Sequence, residues 1–172
     1  MVYFKKIAYS GKYQDDDAIP QLLAYISQPS KTPHHILDGF WFGDGSAAES
    51  MIAVSNHFGK NSKIRLHHFV LSFEPYLNHS YQLIYDIAYV IAEEISKNYQ
   101  IVFAVHEDTN NIHIHFVFNA VSYVTGLKYH GGKTEYKELY QLCYEVMKQA
   151  QLLPLVAVSY HPNSLDLEKS HE

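Results

Sequence analysis

The sequence predicts an α+β domain, a mainly antiparallel sheet with helices packed on one of its faces. Three observations carry that prediction. Several short runs alternate apolar and polar residues, or are rich in β-branched and aromatic side chains, as strands are. Longer runs repeat apolar residues at helical spacing. Two of the strand-like runs follow one another across a short polar turn, while helices separate the rest, an order that suits an α+β fold.

Val2 to Tyr9 (VYFKKIAY) reads as the first strand, closed by Ser10-Gly11. Tyr13 to Asp17 is a polar loop whose three aspartates lead into a helix, Ala18 to Ser27, with Asp17 as its N-cap and Pro20 in its first turn. Ile19, Leu22, Leu23 and Ile26 form that helix's apolar stripe. Tyr25 lies on its flank, about 110° from the stripe's centre at 100° per residue. QPSKTPHH, residues 28 to 35, is an irregular turn. Phe40-Trp41-Phe42 is a short core strand or a base-stacking surface. Ser46 to Phe58 is a second helix, with Ala47, Met51, Val54 and Phe58 on one side, ended by Gly59-Lys60-Asn61.

Arg65 to Phe73 (RLHHFVLSF) is an alternating strand. With Phe69, Leu71 and Phe73 facing the core, His68 and Ser72 share the opposite side. A long helix, Tyr81 to Tyr99, follows, and then the strand Ile101 to Val105 ending at His106. Asp108 to Asn111 is turn chemistry. The next strand carries His113 and His115 two residues apart, between Ile112, Ile114, Phe116 and Phe118. Tyr123 to Lys133 is a polar connection. Thr134 is the expected N-cap of a last helix to about Leu152, with Glu135 and Glu138 near its start and Leu139, Leu142, Val146 and Met147 on its apolar side. Pro154 ends it, Leu155 to Tyr160 supplies a final short strand, and a polar tail runs from His161. One domain over 1–160 and a tail over 161–172 is the expected organisation.

A hairpin between the last two long strands would bring His106 beside His113 and His115. Three neutral imidazoles suit a borderline divalent cation such as manganese, zinc, cobalt, nickel or iron, and suit magnesium less. A chain with 12 histidines can also carry a surface cluster with no ligand. A metal beside a free tyrosine hydroxyl points to phosphoryl transfer through a covalent phosphotyrosyl ester.

Composition limits the other classes. The single cysteine, Cys143, excludes an internal disulfide framework and fits a buried small hydrophobe. The N-terminal MVYFKKIAYSG lacks the apolar core of a signal peptide, and no run approaches a membrane span, so a cytoplasmic protein without membrane insertion is expected. The net charge of −5 argues against a general nucleic-acid binder, although local field rather than net charge guides a charged strand. Lys60, Lys63, Arg65, Lys128 and Lys133 are the cations available for a local groove.

At this point the residues resemble a known family. HEDTNNIHIHFVFN is similar to the metal motif of conjugative relaxases, mobilisation nucleases of the HUH endonuclease superfamily, at His106, Asp108, His113, His115 and Asn119. LLAYISQPSKT resembles their nucleophile motif and puts the catalytic tyrosine at Tyr25. HHFVLSF resembles the intervening serine motif, with Ser72 near the cut. VSYVTGLKYHGGK continues the likeness, whose nearest group is the single-tyrosine, VirD-like relaxases.

The resemblance implies a five-stranded antiparallel sheet with the His-x-His strand near its centre. It implies one divalent ion, manganese or magnesium first and zinc, cobalt or nickel next, held by His106, His113 and His115. Asp108 would orient a ligand histidine, as carboxylates behind metal-bound histidines do. Glu107 is the lesser choice for that role. Ser72, Asn119, Lys128, Lys133 and Lys31 would contact DNA. The implied partner is single-stranded DNA at an origin of transfer, nicked and later rejoined. Accessory relaxosome proteins and a type IV secretion coupling protein are implied partners too. Relaxases commonly carry further domains after the nuclease, so target recognition is expected to draw on such a part or on an accessory protein.

Three other readings stay open. A cupin-like oxygenase also uses His-x-His on a strand, but FVFNAVSY offers no following glutamate. A noncatalytic descendant would bind DNA or a partner without nicking. A rolling-circle replication initiator or tyrosine transposase would share the chemistry. Tyr13 and Tyr129 are the substitutes for Tyr25 as nucleophile.

Overall fold

A computed structural model describes residues 1–7, 14–15, 17–75 and 79–158. The elements run β1 (Val2–Ile7), α1 (Ala18–Ile26), β2 (Leu37–Phe40), α2 (Ala47–His57), β3 (Leu66–Phe73), α3 (Tyr81–Ser96), β4 (Ile101–His106), β5 (Ile112–Asn119), α4 (Lys133–Gln149) and β6 (Leu155–Val158). The predicted Ser10-Gly11 stop, the Tyr13 alternative and the tail from His161 lie outside the described residues. Among the described residues no helix is long and apolar enough to cross a membrane.

The strands form one six-stranded sheet in the order β2-β4-β5-β3-β1-β6. All pairings are antiparallel except β1 with β6, which is parallel. The α+β class and the near-central position of β5 agree with expectation. The count of five strands does not, and the parallel β1–β6 pair makes the mainly antiparallel sheet a mixed one. The additional strand is β2, at the edge beside β4. Gly39 permits that pairing, because a Cβ there would sit 2.2 Å from the Ile101 carbonyl oxygen. Of the aromatic triplet, Phe40 ends β2, Trp41 is half-buried, and Phe42 is exposed and packs against Tyr123.

The helices cover both faces, not one. On the first face, Ile84, Ile87, Ala88, Ile91 and Ala92 of α3 recur at helical spacing and bury against the sheet with Leu139, Cys143, Val146 and Met147 of α4. Phe69, Leu71, Phe73, Phe103, Phe116 and Phe118 meet them from the strands. Phe116 is fully buried, and its ring stacks on Phe69 at 4.5 Å between centroids. Phe116→Ala would leave a cavity there that helices on both faces keep from collapsing. A loss of roughly 3–5 kcal/mol is expected from urea denaturation with an unchanged slope. A loss below about 1 kcal/mol would mean the ring is not packed in solution as described.

On the second face, Ile19, Leu22 and Ile26 of α1 and Met51 of α2 bury against Leu66, Val102, Ala104 and Val117. These two helices cover only part of that face. The remainder carries polar side chains.

The caps differ from expectation in two places. Asp17 stands at the N-cap of α1 as expected, but its side chain makes no capping bond, and Asp15 Oδ1 accepts the Ala18 N–H at 3.0 Å instead. Gly132, not Thr134, caps α4, and the Glu135 carboxylate accepts the Gly132 N–H at 2.9 Å and the His130 N–H at 3.1 Å. Ser46 and Glu49 form a full capping box on α2, and the Ser80 hydroxyl caps α3. α4 ends at Gln149, before Pro154, with Gln151 left-handed at φ 60°.

Candidate active site

The uncovered part of the second face is built by register. His106, the last residue of β4, pairs with His113 of β5. His115 lies between Ala104 of β4 and Val70 of β3, and Ser72 is opposite His113. His68, two residues from Val70, reaches His115 diagonally, Nε2 to Nδ1, at 2.9 Å. The His106 and His115 rings are 4.1 Å apart between centroids, and His113 and His115 are 6.3 Å apart. The expected hairpin therefore does bring the three histidines together, and it adds His68.

α1 approaches this cluster with its C-terminal end. The carbonyl of Ile26, in a last turn whose C=O groups have no partner inside the helix, accepts Nε2–H of His106 at 2.8 Å. That contact sets the helix against β4 and presents Tyr25 one residue earlier. The Tyr25 ring stands edge-on to His106 at 6.0 Å and to His115 at 6.2 Å, yet the residue is 41% exposed. The apolar stripe of α1 faces the sheet, and its flank looks across the histidines to solvent.

Burial favours the neutral form of His68, His106 and His115. It pushes His68 down to about 3, with the charge of His106 adding to the shift. It pushes His115 well below the ordinary histidine range, helped by the charges of His68, His106, His113 and Lys31. His106 is lowered too, by burial first; the Ile26 hydrogen bond and Asp108 oppose the shift, and Lys31 adds to it. A neutral ring with one nitrogen held by the protein can offer the other to a metal. Donation of Nδ1–H from His115 to His68 would leave Nε2 of His115 as the lone pair. Among the described residues no three acidic, thiol or imidazole groups close into a ready-made metal cage. What fits a divalent cation here is the chemistry of the donors. The negative end of the α1 dipole at the cluster favours the same charge.

The turn supplies further contacts. Asp108 Oδ2 accepts from Lys31 Nζ at 3.0 Å, so the carboxylate expected to orient a histidine grips a lysine. The orienting role falls to Ile26 for His106 and to His68 for His115. Glu107 pairs with His34 at 2.5 Å, and the His34 ring stacks on Tyr81. Thr109 Oγ1 meets His113 Nδ1 at 3.2 Å, and Asn111 Nδ2 reaches the buried Ser72 hydroxyl at 3.4 Å.

Other expected site residues sit elsewhere. Asn119 is fully buried; its amide donates to the Met51 carbonyl and to Gln100, and its oxygen accepts from the Val121 N–H. It organises the far end of β5 and is not accessible to DNA as the fold stands. Lys128 lies at that same end, with its ammonium on the Ser62 carbonyl. Burial lowers its pKa, and Arg65, Lys63 and Lys60 push it the same way, which makes this a local positive patch on an acidic chain. Lys133 opens α4, on the opposite face. Tyr129 also packs there, against His67 and Phe118, with its hydroxyl on the Glu135 carbonyl. It is remote from the histidines and no substitute for Tyr25.

His67 gives a pH test clear of the cluster. Burial lowers it to about 4, although the Tyr129 carbonyl and Glu135 favour its charged form; Lys6 and Lys128 oppose that form. A histidine whose folded pKa is depressed contributes stability that is full above its unfolded value near 6.5 and is lost as pH falls toward 4. At about 1.4 kcal/mol per pH unit, the wild type should lose about 2 kcal/mol more than His67→Phe between pH 7 and pH 5. Equal losses in urea titrations at the two pH values would contradict the assignment.

The sheet thus presents a cluster of histidines beside an exposed, helix-borne tyrosine. A family model for relaxases, the MobA/VirD2-like nuclease domain, matches residues 25–152, and the chain belongs to that family. Comparison with curated proteins gave no match, and comparison with solved structures gave none either. Membership makes this a relaxase-type DNA nuclease domain associated with mobilisation and with binding single-stranded DNA.

Proposed function

We propose that the domain nicks one DNA strand at an origin of transfer through a covalent 5′-phosphotyrosyl intermediate on Tyr25, and rejoins it later. The observation that carries this reading is the Tyr25 ring, exposed to solvent yet edge-on to His106 and His115. A nucleophile must reach a large substrate and still lie beside the groups that manage phosphate charge.

The Tyr25 oxygen bonds to the scissile phosphorus, and the bond from phosphorus to the 3′-oxygen breaks. The phenolic proton passes to solvent, and the departing oxygen takes one up. One phosphodiester replaces another, so the step is reversible without an external energy source. His106, His113 and His115 would hold one divalent cation, manganese or magnesium first, which when bound offsets charge on the phosphate oxygens. His68 fixes the His115 ring, and the Ile26 carbonyl fixes His106. The basic patch around Lys128 is proposed to steer the strand, and Ser72, buried behind the histidine strand, to support the site through its bond from Asn111. Accessory relaxosome proteins and a secretion coupling protein are the partners this role calls for, in the cytoplasm.

The test uses single-stranded oligonucleotides spanning the nearest origin of transfer, labelled at the 3′ end, with manganese. The expected product is a labelled fragment that migrates with the protein on a denaturing gel and is released by protease. A fragment with a free 5′ phosphate would overturn the covalent route. Binding without any cleavage would favour a noncatalytic relaxase relative.

A further inference from the structure

Lys31 is held more firmly than a lysine that only meets a phosphate needs to be. Its N–H bonds to the Gln28 carbonyl at 2.9 Å, and its own carbonyl accepts the Glu107 N–H at 2.9 Å. The next residue, Thr32, is buried, and its hydroxyl also returns to Gln28. The backbone at Lys31 is thus tied to the turn that follows α1 and to the residue that follows β4. The ammonium is fixed from the other end, 3.0 Å from Asp108 Oδ2 and 4.7 Å from the centre of the Tyr25 ring. Its side chain is only 23% exposed. Burial pushes the ammonium down, but the hydrogen bond and charge of Asp108, with Tyr25 adding, outweigh that and raise it, so it stays charged.

We infer that Lys31 is a positioning residue for Tyr25, which clamps the tyrosine ring and places positive charge beside it as the phenolic proton leaves and negative charge builds on the oxygen, with Asp108 holding the lysine in place. The inference rests on the reading of Tyr25 as nucleophile. A fixed cation needs no rearrangement when charge builds on the oxygen, which is why such groups act more strongly than mobile ones in water. The same charge serves rejoining, where the tyrosine oxygen is the leaving group. The acidic residue of the turn thereby acts on the nucleophile, through Lys31.

The experiment compares wild type, Lys31→Met, Lys31→Arg and Tyr25→Phe in single-turnover nicking of an origin oligonucleotide with manganese. Lys31→Met should slow nicking and rejoining alike by about 10²-fold, with DNA affinity within about threefold. Lys31→Arg should recover most of the rate. Incorporating 3,5-difluorotyrosine at position 25, a phenol that ionises more readily, should rescue Lys31→Met and change the wild type little. A structural role would not produce that rescue. Weaker DNA binding with a smaller salt dependence and no rescue would make Lys31 a phosphate contact and overturn the inference. If Lys31→Met does not fold, Lys31→Gln keeps the hydrogen bond to Asp108 without the charge and must show the same rate loss and rescue. If Lys31→Met nicks at the wild-type rate while Tyr25→Phe is inactive, only this inference falls. If Tyr25→Phe still forms the protein-linked product, the nucleophile reading falls with it.

Discussion

Tyr25→Phe is expected to abolish the protein-linked DNA product, a loss of at least about 10³-fold in nicking, while leaving fold, metal binding and strand binding as they were. The first part follows from chemistry: phenylalanine has no oxygen to bond to phosphorus, so no phosphotyrosyl ester can form at position 25. The second part follows from packing. The ring keeps its edge contacts with His106 and His115, and the residue is 41% exposed, so a change in stability within about 0.5 kcal/mol is expected. Lys31 keeps a ring to sit over, and Asp108 still pairs with that lysine. Side-by-side gels with labelled origin oligonucleotides, and urea titrations of both proteins, test both parts. A protein-linked product that persists in the variant would move the nucleophile elsewhere. Tyr129 could not take over, since its ring is packed against His67 and Phe118 on the other face.

Much of this arrangement is legible in the sequence because burial on one side writes a period of two. Ile112, Ile114, Phe116 and Phe118 announce a strand and, by exclusion, set His113 and His115 on the other face. The turn chemistry from Asp108 to Asn111 then brings His106 alongside. β2 leaves no such mark. Leu-Asp-Gly-Phe is a half-covered edge strand with no period, and its glycine answers to a contact with β4 that only the assembled sheet defines. The apolar stripe of α1 is equally plain, but a stripe says that a helix has a buried side, not which face of the sheet receives it. The expectation of one bare face failed for that reason. The sequence places His68 on the histidine face and marks Lys31 as a site cation, but register hides their partners. His68 meets His115 on a diagonal between β3 and β5, and Lys31 meets Asp108 across 77 residues of chain. Asn119 shows the converse. It ends the histidine motif in sequence, yet β5 carries it to the far end of the strand and into a buried network with Met51 and Gln100.

His113→Ala should weaken manganese binding by more than about 100-fold and nicking by a similar factor at limiting metal, because two imidazoles seldom retain a divalent ion. It is the cleanest of the three histidines to remove. His113 is only partly buried, whereas His106 is buried and carries the contact that docks α1 on β4. His106→Ala would therefore mix ligand loss with movement of Tyr25, and His113→Ala would not. His68→Ala provides the scale. His68 supports His115 through one hydrogen bond at 2.9 Å, so its loss should cost about 10–100-fold in metal affinity, less than removing a ligand. Titration calorimetry with manganese on the wild type and both variants gives the order directly. If His113→Ala binds manganese as the wild type does, the cation is not held by this cluster. If His68→Ala is the more damaging of the two, His68 is itself a ligand, and the donor set moves along β3 toward the centre of the sheet.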